Sequence, residues 1–391
     1  MKVLLVLRQI PTDPSFDGES RWLQNVIKTM KKMVNQLDIL GQHVSNNNKS
    51  FILEHCSNFI SIPYEAVKHP SYEWILNWDP SKIDNYNPHL AQLIKCWSYK
   101  INYDLAICFG HGAHVYLPYI KARHKMMVPL DAPSGMVQSL SDSKVNSKSA
   151  NFIGKIRKEI NRIMLMLSQK SYNYADSILV VSKKDHDILK SSGIKRPILI
   201  CPLGIDLDEF TSNPIQPRDN AILFTGVLDF LPNSDAIIHL VNDIFLPSQL
   251  NSEGIVCRIA GRRPTAAIQD LTAFPGVELY SNLPDLKTIF DKSMIFVAPM
   301  RIGLGMKTKV LEAMAMAMPI VGYPLAFNGI SNPKEFAMLC ATPKEIINAI
   351  RKLIVNPQLR QQMGIQAREY VHCHHSSDTV AKFITNYIIK Q

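Results

Sequence analysis

No run in this chain approaches the roughly 18 consecutive apolar residues of a membrane span. The opening MKVLLVLRQIP has only five apolar residues in its run before Arg8. That is too short for a signal-peptide core and suits a buried first strand. Cysteine pairing is also missing. Cys56, Cys96, Cys108, Cys201, Cys257, Cys340 and Cys373 show neither paired nor metal-type spacing, which fits reduced thiols in a cytoplasmic protein. Acidic residues are the minority, 33 against 43 basic ones, and the net charge of +10 suits anionic partners such as nucleotide sugars, phospholipid surfaces or nucleic acid. Because no RNP, zinc-finger or basic-zipper pattern occurs, nucleic acid ranks last among these. Neither half carries a G-x-G-x-x-G after its first strand, so a dinucleotide-dependent oxidoreductase is disfavoured.

What the chain does have is apolar material: 46% hydrophobic and 19% charged residues, enough for a large core. Its 391 residues suggest about two domains. Short apolar strands alternate with helical patterns throughout. The first half reads as strands at Val3–Leu7, Phe59–Ile62, Leu105–Phe109, Lys125–Leu130, Ile178–Val181 and Ile198–Cys201. The second reads as strands at Ala221–Thr225, Ile255–Ala260, Val277–Tyr280, Met294–Ala298 and Ile320–Gly322. This alternation predicts α/β architecture with two doubly wound parallel-sheet domains. The proline- and turn-rich PLGIDLDEFTSNPIQPR around Pro202–Arg218 marks the break. The expected domains are 1–203 and 204–375, with a terminal helix at 376–391 packing back on the first. A cleft between them, at the carboxyl ends of the strands, is the expected ligand site.

The stretch Ser293–Gly322, SMIFVAPMRIGLGMKTKVLEAMAMAMPIVG, is the most informative. It reads as buried strand, glycine-punctuated turn, helix, proline and second strand. Gly303 and Gly305 leave the turn bare for an anion beside a helix N-terminus, and Lys307 and Lys309 add positive charge. Lys309 and Glu312 are three apart and share one helix face. A cation for a diphosphate and a carboxylate for a ribose diol make a nucleotide grip. An ordinary surface Lys–Glu pair is the plain alternative.

Four blocks in order carry a resemblance: FTGVLDFLPNSDAI (Phe224–Ile237), IAGRRP (Ile259–Pro264), GVELYSNLPDLKTIF (Gly276–Phe290) and APMRIGLGMKTKVLEAMAMAMPIV (Ala298–Val321). Together with PSFDGESR (Pro14–Arg21), ADSILVVSKKD (Ala175–Asp185) and CPLGIDLDEF (Cys201–Phe210), they resemble family 4 glycosyltransferases of the two-domain GT-B fold. Among these the likeness is greatest to bacterial sugar transferases of exopolysaccharide and exosortase-associated clusters. It is weakest between Asp38 and Asp104.

The resemblance implies a retaining, metal-independent transferase, with no cofactor beyond its nucleoside-diphosphate-sugar co-substrate and a glycan or lipid-linked acceptor. It gives Glu312 the donor ribose, Lys309 a phosphate, and Gly18 the close approach of donor and acceptor. A second glutamate usual in the family is Leu304 here, and an Arg and a Lys common after the second domain's first strand are Val227 and Asn233. Positive charge for the leaving diphosphate then has Arg262, Arg263, Arg301, Lys307 and Lys309 as sources. His111 and His114, in FGHGAHVY beyond an apolar strand, are placed to bond the donor sugar or orient an acceptor. Asp131, in VPLDAPSG, could position the acceptor hydroxyl or cap a helix, and Glu19 is a further acceptor candidate. A catalytically weak glycosyltransferase-like subunit that binds a nucleotide or partner is the alternative function.

Two metal-like patterns are set aside. Asp206-Leu207-Asp208 falls in the interdomain turn, and His372, Cys373, His374 and His375 are too crowded to face one ion. The polar Ser141–Ser149 stretch reads as a loop. The basic segment Lys144–Lys170, with Ile153, Ile156, Ile160, Ile163, Met164 and Leu167 at helical spacing, fits either a core-facing helix or one lying on an anionic membrane at the inner face.

Overall fold

The structure, a computed structural model, describes residues 1–8, 10–11, 18–43, 50–63, 86–110, 112–130, 170–211, 218–283, 285–303 and 305–389. The chain divides into two compact units, one built mainly from Met1–Ser15, Glu19–Pro202 and Val380–Gln391, the other from Leu203–Thr379. The helix Ser377–Ile389 therefore starts in the second unit, and its residues from Val380 onward belong to the first. Within the first unit, Tyr387 of that helix meets the His124 ring edge-on at 6.0 Å.

The first unit holds seven parallel strands: β1 (Lys2–Leu7), β2 (Gln36–His43), β3 (Asn58–Pro63), β4 (Leu105–Phe109), β5 (His124–Leu130), β6 (Ser177–Val180) and β7 (Ile198–Ile200). Their order across the sheet is β3-β2-β1-β4-β5-β6-β7. The central strands are continuous apolar runs because both faces of a parallel sheet are covered, and every residue of LAICF in β4 is buried. β2 departs from this pattern, and its polar composition (QLDILGQH) hid it from the sequence reading. At its centre Asp38 is fully buried and accepts from Gln36 Nε2 at 2.7 Å, Asn58 Nδ2 at 2.8 Å and the Tyr103 hydroxyl. A buried carboxylate so surrounded keeps its hydrogen bonds, and the strand keeps its place.

The second unit holds six parallel strands: β8 (Asp219–Val227), β9 (Val256–Arg262), β10 (Val277–Ser281), β11 (Ser293–Ala298), β12 (Ile320–Gly322) and β13 (Ala337–Leu339). The order is β10-β9-β8-β11-β12-β13, so strand order reverses between β8 and β11. In open α/β sheets the crevice at that reversal, outside the carboxyl ends, is where ligands bind. β13, a three-residue strand at the edge of the sheet, is not among the strands expected from the sequence. β8 and β9 pair with Gly226 opposite Gly261. A Cβ at Gly261 would stand 1.8 Å from the Gly226 carbonyl oxygen, so only glycine lets these strands close up.

Helix ends in this unit are closed by arginines. The helix Thr308–Ala315 leaves its last carbonyls without intrahelical donors. Arg218 donates to the Met316 carbonyl at 2.7 Å, and Arg368 donates to that of Ala315. Arg360 serves the Leu353 and Ile354 carbonyls at the end of the helix Pro343–Ile354. Arg258 donates to the Lys292 carbonyl at 2.8 Å. Each cation also opposes the partial negative charge of a helix carboxyl end.

Candidate functional site

The site assembles at the reversal point of the second sheet, from two chain segments. One is the end of β8 and the helix Leu231–His239 that follows it; the other is the turn after β11 and the helix Thr308–Ala315. That second helix forms from strong helix formers (TKVLEAMA), opens at Lys307, whose backbone is extended, and stops before Pro319. It carries Lys309 and Glu312, 9% and 5% exposed, three apart on one face at the end of the sheet where strand order reverses.

The Lys309 ammonium lies over the Phe224 ring, 4.5 Å from its centroid, and donates to the Asn233 side-chain oxygen. Asn233 donates through Nδ2 to the Val227 carbonyl at 2.8 Å, so its amide is held at both ends. Gly226 makes room for both. A Cβ there would lie 2.7 Å from Asn233 Nδ2 and 2.7 Å from Lys309 Nζ. Burial pushes the Lys309 ammonium down from the ordinary 10.5 to about 7. The neighbouring Lys307 charge acts in the same direction, and Glu312 opposes both.

The turn itself is shaped by glycine. Gly303 at φ 126° and Gly305 at φ 64° adopt conformations that side chains disfavour. Lys307, also 9% exposed, folds back over the turn and donates to the Gly305 carbonyl at 3.0 Å. The expected grip of Gly303, Gly305, Lys307, Lys309 and Glu312 is thus gathered in one place. Asn233, Gly226 and Phe224 stand around the Lys309 ammonium.

Arg301 and Arg263 are both engaged in ion pairs. Arg301 forms a two-point pair with the buried Asp235 carboxylate, at 2.6 and 3.1 Å. It lines a cavity of about 530 Å³ with His239, Met300, Tyr323, Leu325 and Pro343. There His239 bridges Asp243 at 2.6 Å and the Tyr323 hydroxyl at 2.9 Å, and burial pushes that phenol up to about 12. Arg263 pairs with Asp229 at 3.0 Å and is exposed. Arg262 ends β9, where its carbonyl accepts from the Leu228 amide at 2.8 Å.

In the first unit His114 is 3% exposed within the short helix Ala113–Tyr119, edge-on to Tyr172 at 5.2 Å. Gly18 and Glu19 open the helix Gly18–Met33. His111 and Asp131 lie outside the described residues, as does the basic segment from Lys144 up to Lys170. Asp206 accepts from the Asp208 and Glu209 amides at 3.0 and 3.3 Å, a turn-capping role. His375 is buried and bonds the Leu203 carbonyl at 3.0 Å. Among the described residues no three metal-ligating side chains come together, and no helix is long and apolar enough to cross a membrane.

Comparison with known proteins places this architecture. Sucrose-phosphate synthase from Thermosynechococcus elongatus superposes with a TM-score of 0.73 at 14% identity, covering 100% of this chain and 99% of that one. HepE of Anabaena, solved with UDP and glucose, superposes with a TM-score of 0.67 at 12% identity, covering 99% of each chain. The fold is that of GT-B glycosyltransferases: two parallel-sheet, Rossmann-like units. Residues 219–356, which span the whole grip, match the family "Glycosyl transferases group 1", so the second unit carries a glycosyltransferase domain. Glycosyltransferase 1 domain-containing protein 1 of Xenopus tropicalis is 28% identical over 123 residues, 30% of this chain. The matched segment spans about a third (35%) of that relative.

Proposed function

We propose that the protein transfers a sugar from a nucleoside-diphosphate sugar to a glycan or lipid-linked acceptor, with retention at the anomeric carbon and without a bound metal. The observation that carries this reading is the buried Lys309–Glu312 pair beside the Gly303–Gly305 turn, at the strand-order reversal of a domain matching a glycosyltransferase family. In such a reaction the bond from the anomeric carbon to a phosphate oxygen breaks and a diphosphate leaves with added negative charge. Lys309, Lys307 and the first amides of the helix Thr308–Ala315 are the groups positioned to meet that charge. Glu312 then accepts from the ribose hydroxyls. UDP is the first nucleotide to try, since the Anabaena structure holds it. A binding-only subunit is not favoured by the match to a transferase family.

The test is calorimetric binding of UDP-, GDP-, ADP- and dTDP-sugars to the wild type and to Glu312→Ala. Loss of charge-assisted hydrogen bonds worth roughly 1.5–3 kcal/mol predicts a donor affinity about 10- to 100-fold weaker in the variant. Equal affinity in the two proteins would remove Glu312 from the donor site. No binding of any donor by the wild type would refute the proposal.

A further inference from the structure

We propose that Asn233 is the positioning residue for Lys309: a neutral acceptor that aims the ammonium into the crevice without cancelling its charge, so that one lysine can serve a diphosphate there. This rests on the donor-site reading above and assigns a role to a position that the sequence presented as a missing cation.

The geometry fixes the amide's orientation. Asn233 Nδ2 donates to the Val227 carbonyl, and Oδ1 accepts from Lys309 Nζ. A flipped amide would set its NH₂ against the ammonium and its oxygen against the carbonyl, losing both bonds. The backbone reinforces this arrangement, because the Asn233 amide is tied to the Phe230 carbonyl at 2.8 Å and the side chain is 6% exposed. Gly226 leaves room for this arrangement, since a Cβ there would crowd Asn233 Nδ2 and Lys309 Nζ alike, at 2.7 Å. An ammonium has three donors. Asn233 takes one and the Phe224 face occupies a second direction, which leaves capacity for an anion.

A neutral partner suits this task better than a charged one. A carboxylate at this place would hold the lysine more tightly, yet would repel a phosphate that came to the same cation. A basic residue would repel Lys309 itself. The other charges that bear on Lys309 are Lys307, from the turn, and Glu312, from its own helix. On the facing helix the nearest acid in sequence, Asp235, is paired with Arg301.

The experiment compares wild type, Asn233→Ala and Asn233→Asp, the last being nearly isosteric and a safeguard should the alanine variant misfold. Two readouts are used: the titration midpoint of Lys309 from the NMR of ¹³C-labelled lysine, without ligand, and the affinity for UDP at pH 6.5 and 8. Asn233→Asp should raise the midpoint by about one pH unit or more and weaken UDP roughly 10-fold at pH 8. Asn233→Ala should lower the midpoint and weaken UDP by a similar factor at pH 8, with partial recovery at pH 6.5. A purely structural asparagine would change thermal stability but would not move the midpoint in opposite directions. Midpoints unmoved in both variants overturn the assignment, whether or not nucleotide binds. Opposite shifts in a protein that binds no nucleotide would uphold the positioning of Lys309 and refute only the donor reading.

Discussion

Replacing Lys309 by methionine should stabilise the second unit while abolishing nucleotide binding. The ammonium is held down at about 7 against an ordinary 10.5, a gap of about three and a half pH units, and each unit corresponds to about 1.4 kcal/mol. Burying this lysine therefore costs about 5 kcal/mol at neutral pH. Methionine incurs none of that cost, fills a similar volume and keeps contact with the Phe224 face. It also strands the Asn233 oxygen, a loss of roughly 1.5–3 kcal/mol. The net expectation is a gain of about 2–3 kcal/mol at pH 7. The pH dependence gives this reasoning its signature. Between pH 7 and 10.5 the unfolded chain keeps a proton on Lys309 that the folded chain has released, so wild-type stability rises with pH across that window. The advantage of Lys309→Met should accordingly shrink by about 2 kcal/mol between pH 7 and pH 9. Urea unfolding of both proteins at the two pH values measures it. A variant less stable than wild type at pH 7, or an advantage equal at both, would refute the account of Lys309 as a cation buried at a cost.

Three further expectations follow from the same geometry. Gly226→Ala places a Cβ 2.7 Å from both Asn233 Nδ2 and Lys309 Nζ. It should fold with a modest loss of about 1–3 kcal/mol by urea unfolding yet bind UDP at least about 10-fold more weakly by calorimetry. Burial pushes the His375 ring down to about 4 from an ordinary 6.5, so the folded state resists a proton that the unfolded state accepts. Stability should fall by about 3 kcal/mol as pH drops from 6.5 to 4, and that slope should disappear from the unfolding of His375→Asn. Calorimetry of UDP-glucose binding near pH 7 in buffers of different ionisation enthalpy should show uptake of about half a proton by the wild type, as a phosphate restores the charge on Lys309, and close to none at about pH 5.5, where Lys309 already carries its proton.

The strands easiest to read in sequence were those with apolar runs, such as Val3–Leu7, Leu105–Phe109 and Met294–Ala298, because burial on both faces leaves a simple record. Gln36–His43 escaped because Asp38 interrupts the run, and its partners Tyr103 and Asn58 lie far along the chain. The helix Thr308–Ala315 was legible since Lys309 and Glu312 sit three apart between two glycines and a proline. Arg301 looked available in sequence, whereas its partner Asp235 lies 66 residues away and only the folded sheet joins them. Asn233 shows the same limit: in sequence it stands only where the resemblance leads one to expect a lysine, and nothing local tells that it accepts from a lysine 76 positions on.

The arginines at the helix ends bear on how such a chain behaves in solution. A pI near 9.1 would ordinarily be taken as affinity for polyanions. Yet Arg218, Arg258, Arg360 and Arg368 aim their donors at carbonyls of their own backbone. Electrophoresis would count those charges in full. A heparin column, which needs guanidinium groups that can turn outward and take two oxygens at once, would find fewer of them than the composition promises.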